Sequence, residues 1–284
     1  MSRKISSIFE RSVLSRISAL TTALWLILAL TVIPAAAEEE EMKPVFTRVA
    51  AWDVKRAHWD DFVEFMKERN RPVMEQLLAD GVISEFGIDA ESLHSPDGYS
   101  HSTWFSTNSM ADMDKVFAAW KQADDKSDEP AQQAQNAMFD EMVVKHADFL
   151  MRTEYQRARK ATVEGGYFQS AKFRVKMGKG KDYLSYYNHR IKPVYEQLLA
   201  AGDVVAFGRS EEEIVTGMPG AQFVWYVVED GAGLDKVRAA FDAHWGEMDE
   251  EGRRARWTSI MDFVEEGSFR ESLTHISYLQ IAAQ

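Results

Sequence analysis

The segment Arg71-Pro72-Val73-Met74-Glu75-Gln76-Leu77-Leu78-Ala79 returns as Lys192-Pro193-Val194-Tyr195-Glu196-Gln197-Leu198-Leu199-Ala200, a shift of 121 residues from Pro72 to Pro193. The register holds to either side without a gap. Asp61 meets Asp182, Arg69 meets Arg190, Gly81 meets Gly202, Phe86-Gly87 meets Phe207-Gly208, Trp104 meets Trp225, and Asp114-Lys115-Val116 meets Asp235-Lys236-Val237. A chain that states one unit twice at a fixed offset is expected to fold as two copies of one supersecondary arrangement that bury surface against each other. No other feature of the chain restricts its architecture as far.

Each copy has the same order of elements. Residues 45–55 are rich in Val, Phe, Trp and Ala and suit a strand, and Trp59, Phe62, Val63, Met66, Val73, Met74, Leu77 and Leu78 follow at helical spacing until Gly81. Residues 83–88 and 99–107 read as strands around the turn-forming His94-Ser95-Pro96-Asp97-Gly98. Helices over 110–121 and 131–145 and a strand over 149–155 complete the copy. The second copy reads as a strand over 167–176, a helix over 183–200, strands 204–208 and 221–228 around Gly217-Met218-Pro219-Gly220, helices 234–245 and 253–265, and a strand over 269–281. Strand, helix, strand, strand, helix, strand is the ferredoxin-like split βαβ unit. The expected fold is therefore α+β: two tandem ferredoxin-like βαββαβ repeats, at 45–157 and 166–284, forming an intramolecular pseudo-dimeric α/β barrel. Residues 221–228 carry large apolar groups on both faces, as a sheet covered on both sides requires. Helices cover one face, so the other is expected to meet the sheet of the second copy.

This order and duplication resemble the dimeric α/β-barrel superfamily over roughly residues 45–281, with NIPSNAP-like and antibiotic-biosynthesis-monooxygenase-like proteins among its members. The helix with its Gly stop and the Trp-bearing third strand are similar to the NIPSNAP-like branch. In that superfamily several enzymes hold a substrate or haem between sheet and helices, and the resemblance implies such a place here.

The N-terminus carries an address. Arg3, Lys4, Arg11 and Arg16 precede an uncharged stretch over 17–37 centred on Leu24-Trp25-Leu26-Ile27-Leu28 and ending in Pro34-Ala35-Ala36-Ala37. This pattern predicts an export signal cleaved after Ala37, with a polar lead-in over 38–44 and a periplasmic or secreted product. The alternative is an uncleaved anchor, since such a stretch just spans a bilayer core of about 30 Å. Removing 1–37 takes four of 33 Lys/Arg and one of 45 Asp/Glu, leaving a formal charge of −15. A surface so acidic repels phosphate backbones and anionic headgroups, which argues against nucleic-acid and membrane partners for the exported chain. There is no cysteine, hence no disulfide, thiolate nucleophile or cysteine-held metal.

Candidate functional residues come from the repeated helix. Arg69 and Arg190 lie seven residues after Phe62 and Tyr183, beside an apolar stripe where a guanidinium needs an anion for its five donors; the alternative is internal pairing, with Glu75 or Glu196. Comparison of the copies adds an asymmetry. Phe62, Phe65, Met66 and Met74 become Tyr183, Tyr186, Tyr187 and Tyr195, and Glu68 becomes His189. Buried tyrosine hydroxyls usually find partners, so this helix is expected to border a polar-lined cleft opposite Trp225 and His275, with His189, Tyr187 and Arg190 as catalytic candidates. Hydroxyls directed into water are the alternative. No two of the seven histidines have paired-ligand spacing, so no metal centre is expected. A haem needs one axial histidine, and His244 or His275 is the candidate. Nucleotide-binding and serine-hydrolase motifs are absent, and the acidic runs Glu211-Glu212-Glu213 and Asp249-Glu250-Glu251 read as solvated faces or helix starts.

The function expected is that of an exported small-molecule binder or cofactor-independent enzyme acting on an aromatic or apolar acid, with its site in the second repeat. It would act as a monomer or a further homo-oligomer. The alternatives are a non-catalytic protein-interaction module, marked by exposed apolar stripes over 138–144 or 257–264 and a filled interior, and a haem-linked oxidoreductase.

Overall fold

The computed structural model describes residues 44–282 apart from 94–98, 127, 215–219 and 247–248. The export segment, nearly all of the lead-in, and the two turn sequences at 94–98 and 217–219 thus lie outside the described residues. The strands are β1 (Val45–Val54), β2 (Glu85–Glu91), β3 (His101–Thr107), β4 (Val143–Ala158), β5 (Ala161–Val163), β6 (Tyr167–Arg174), β7 (Ala206–Ile214), β8 (Ala221–Val228) and β9 (Arg270–Ile281). The helices are α1 (Trp59–Arg69), α2 (Arg71–Ala79), α3 (Met110–Asp125), α4 (Glu129–Met142), α5 (Gly180–Tyr186), α6 (Lys192–Ala201), α7 (Gly231–Trp245) and α8 (Glu250–Met261), with a π turn at Tyr187–Ile191 between α5 and α6.

All strand pairs are antiparallel, in the order β2-β3-β1-β4-β7-β8-β6-β9, and β2 pairs with β9 to close the ring. The short β5 adds to the end of β9. This closed eight-stranded antiparallel barrel, with eight α-helices around it among the described residues, corrects the expectation of two tandem ferredoxin-like βαββαβ modules meeting sheet to sheet. The strands join by their edges. β4 runs for 16 residues, pairing with β1 through its first part and with β7 from Leu150 to Ala158. Pairing β4 with β7 and β2 with β9 satisfies the backbone N–H and C=O groups that two separate sheets would leave at four edges. The inner faces of the strands line a common lumen, and the outer faces carry the helices.

Local chemistry explains where the elements start and stop. Ser109 and Asp230, equivalent in the repeat, cap α3 and α7 by accepting from the backbone N–H of Asp112 at 3.2 Å and of Gly233 at 2.9 Å. Gly202 ends α6 at φ +81°, in the left-handed region that glycine adopts without strain. The helix expected over 183–200 is interrupted by the π turn. Pro193 has no N–H to give, and its ring crowds the carbonyl of His189, so the turn before it widens. In the first copy the corresponding break falls at Asn70, between α1 and α2.

Alternation along the strands sorts side chains between core and lumen. In β1, Phe46 and Trp52 pack with the helices, while Thr47, Val49 and Ala51 face inward. Outside the first half, Phe62, Phe65 and Met66 of α1 and Met74 and Leu77 of α2 are buried against Phe86, Ile88 and Phe105. Outside the second half, Tyr187, Val194, Tyr195 and Leu198 are buried against Phe173, Phe207 and Tyr226. Each such side chain contributes about 1.5–3 kcal/mol by leaving water. Among the described residues no helix is long and apolar enough to cross a membrane.

Candidate functional site

In the first half, a cavity of about 370 Å³ lies between the outer face of β1, β2 and β3 and the helices α1 to α4. Its body is apolar, formed by Phe65, Met66, Met74, Phe86, Phe105 and Phe139. Arg69, at the end of α1, donates from Nη2 to Asp124 Oδ1 on α3 at 2.8 Å. Asp124 takes one of five guanidinium donors, so the arginine keeps capacity for a second anion. Trp120, one turn earlier on α3, presents an indole N–H that is buried without a hydrogen-bond partner. Arg48 pairs with Asp148 at 2.8 Å and Arg71 with Glu75 at 2.9 Å; Glu75 is therefore the partner of Arg71 and not, as the sequence suggested, of Arg69.

The corresponding place in the second half carries bulkier aromatic side chains at several positions. At a shift of 121, Met66 becomes Tyr187, Met74 becomes Tyr195, Trp120 becomes Phe241 and Asp124 becomes Trp245. Tyr195 packs against Phe207 and Phe241 with ring centroids 5.3 and 5.1 Å apart. Tyr183 and Tyr187 are buried with hydroxyls that lack hydrogen-bond partners, and burial pushes both phenols well above their ordinary range. Tyr186 stacks with Trp245 and leans on Phe263. Arg190 is exposed and lies 5.7 Å from the Trp245 ring centroid, a cation–π contact where Arg69 has its carboxylate. Glu196, the partner suggested for Arg190, accepts instead from the Tyr155 hydroxyl at 2.7 Å. His189 is exposed, and its Nδ1–H donates to the Ser185 carbonyl at 2.7 Å.

The structure thus divides the residues singled out from sequence. Tyr183, Tyr186, Tyr187, Tyr195, His189 and Arg190 lie together on α5, the π turn and α6, and line neither of the two cavities described here; Arg69 lines the first. Trp225 does not face that helix. It points into the lumen, donating from Nε1 to Ser210 Oγ at 3.0 Å, so the barrel wall separates the two. His275 is exposed on β9, edge-on to Tyr167 at 5.6 Å, and His244 is exposed near the end of α7. Trp120 and Asp124 went unrecognised, although the register that exposed the tyrosines also pairs them with Phe241 and Trp245.

A second cavity, of about 280 Å³, occupies the lumen. Glu85 and Asp89 project into it from β2, 5% and 3% exposed. Glu85 accepts from Ser106 Oγ at 2.8 Å and Gln156 Nε2 at 2.9 Å, and burial raises its pKa. Asp89 accepts from Ser102 Oγ, and burial pushes its carboxyl up to about 7. The run Glu211-Glu212-Glu213, read from sequence as solvated or helical, belongs to β7: Glu211 and Glu213 pair with Arg152 on the outside, and Glu212 shares the inward parity of Ser210.

No protein-family model matches this sequence, and no curated protein matches it. Solved structures do. The chain is similar to a candidate monooxygenase from Lactobacillus acidophilus, with a TM-score of 0.57 at 9% identity over 85% of this chain and 98% of the other. It is similar also to a candidate monooxygenase from Fusobacterium nucleatum, with a TM-score of 0.58 at 9% identity over 84% and 95%. At such identity the likeness is one of fold alone.

Proposed function

We propose that this protein binds an aromatic or apolar acid in the cavity between the first-half helices and the barrel wall, and acts there as a small-molecule enzyme without a bound cofactor. The observation that carries the reading is an apolar cavity with a guanidinium and an unpartnered indole N–H at its edge. The half that keeps a cavity also keeps Arg69, Asp124 and the unpartnered Trp120 N–H. In the other half, tyrosine, phenylalanine and tryptophan stand where the first has Met66, Met74, Trp120 and Asp124. A carboxylate would sit between Arg69 and the indole N–H, with its apolar body along Met66, Phe86 and Phe105. The fold it shares with candidate monooxygenases supports an enzyme-like role. The site belongs on this reading to the first half rather than the second. Origin by fusion of two NIPSNAP-like copies remains part of the proposal, supported by the 121-residue register, and so does export, supported by the N-terminal pattern. The interaction-module alternative finds Met138 and Val144 exposed, but the interior it needs filled is hollow.

Native mass spectrometry of protein purified from its own host is expected to reveal a retained organic acid. With 3-phenylpropionate as a calorimetric probe, Arg69→Met is expected to weaken binding by about 10- to 100-fold, the loss of a charge-assisted hydrogen bond. Met66→Tyr, which copies the second half, is expected to abolish it. Unchanged affinity in both variants would remove the site from this cavity.

A further inference from the structure

We infer that the barrel lumen is a second binding site, separate from the one above, and that it takes an organic cation: a protonated amine carrying an apolar or aromatic body. Three independent features point there. The first is a pair of buried acids with no cation beside either. Glu85 and Asp89 are buried in the wall, and their hydrogen-bond partners are neutral, Ser106 and Gln156 for one and Ser102 and Thr274 for the other. Burying a carboxylate with no cation beside it costs several kcal/mol, which a bound ammonium would offset.

The second feature is the lining. Phe168 lies between the two repeat-related tryptophans, 5.9 Å from Trp104 and 5.9 Å from Trp225 between ring centroids. Aromatic faces attract cations, most strongly when water is excluded. The lumen already seats one ammonium of its own in this way: Lys172 Nζ lies 5.6 Å from the Phe149 ring and 5.0 Å from the Phe223 ring. The third feature is shape. Leu279, Ile281, Ala206 and Val227 are buried lining residues, whereas Ser272 is exposed and Lys172 half-buried, so the cavity has a closed apolar part and an open polar part. Among the described residues no three Asp, Glu, His or Cys converge as a metal site. The acids are spread along the wall, which suits an elongated cation better than a single ion.

The test is calorimetric titration of the full chain with phenethylammonium chloride, against 2-phenylethanol as a neutral match of similar shape. Saturable one-to-one binding of the ammonium is expected, with the alcohol weaker by at least about tenfold, the usual scale of a desolvated charge contribution. Asp89→Asn and Glu85→Gln, each conserving side-chain shape, are each expected to lower ammonium affinity by about tenfold or more while circular dichroism shows the barrel intact. Equal affinity for the alcohol, no saturable binding of the ammonium, or full ammonium affinity in both folded variants would each overturn the inference.

Discussion

Asp89→Asn is expected to stabilise the protein at pH 8 by up to about 4 kcal/mol and to leave it nearly unchanged near pH 4. Asp89 is 3% exposed, and burial lifts its carboxyl from the ordinary 3.8 to about 7. The folded state therefore favours the protonated acid. Below the unfolded pKa both states carry the proton and the group adds no penalty. As pH rises from about 4 to about 7 the unfolded chain loses its proton first, and stability falls throughout that window. Above 7 the folded group ionises too, and the penalty levels off at roughly three pKa units, or about 4 kcal/mol. Asparagine still offers an oxygen to Ser102 but has no charge to desolvate, so the variant escapes the loss. Glu85, raised in the same direction, remains in the variant and keeps part of the slope. Urea unfolding of both proteins at pH 4 and pH 8 measures the difference. The same gain at both pH values would show that ionisation of Asp89 does not limit stability. Phenethylammonium, if it occupies the lumen, should raise the parent's stability at pH 8 and narrow the gap.

The repeat was legible in the sequence because its signal is identity at a fixed offset, which no tertiary contact can disguise. Helix and strand order followed from apolar spacing for the same reason: Phe62, Met66, Met74 and Leu77 are buried on the sides that their periodicity assigns. Edge pairing was not legible. Whether two sheets meet by faces or by edges depends on which backbone groups remain unpaired after the fold closes, and side chains carry little of that information. β4 illustrates the difficulty, since residues 143–145 looked like the end of a helix and instead begin the strand that pairs with both β1 and β7. The buried acids were hidden for a related reason. Glu212 sits between two glutamates that pair outward with Arg152, and only the strand parity reveals that it faces inward. For the candidate site, the substitution of tyrosine for phenylalanine and methionine was read as added chemistry. It is equally an addition of volume, and in the structure Tyr195 spends that volume packing against Phe207 and Phe241.

Gly208→Ala is expected to cost about 3 kcal/mol or more, and Gly87→Ala, its equivalent in the other half, only about 1–2 kcal/mol. Each glycine pairs across the ladder with a tryptophan whose ring lies over it, Gly87 with Trp104 and Gly208 with Trp225. A methyl group on either backbone would enter the ring's contact distance. At Gly208 it would also stand 2.8 Å from the Tyr155 carbonyl oxygen, part of β4 and unable to yield without disturbing the ladder to β7. At Gly87 the three nearest atoms all belong to the Trp104 ring, and that ring borders both cavities, so it has space into which to turn. Adding Trp104→Phe to Gly87→Ala should therefore recover most of the loss caused by the alanine, whereas adding Trp225→Phe to Gly208→Ala should recover only the part due to the ring. Denaturant unfolding of the two double-mutant cycles reads this directly. Equal coupling in both halves would mean that the Tyr155 carbonyl moves aside, and that the junction of β4 with β7, which joins the two halves into one barrel, is softer than its hydrogen bonds imply.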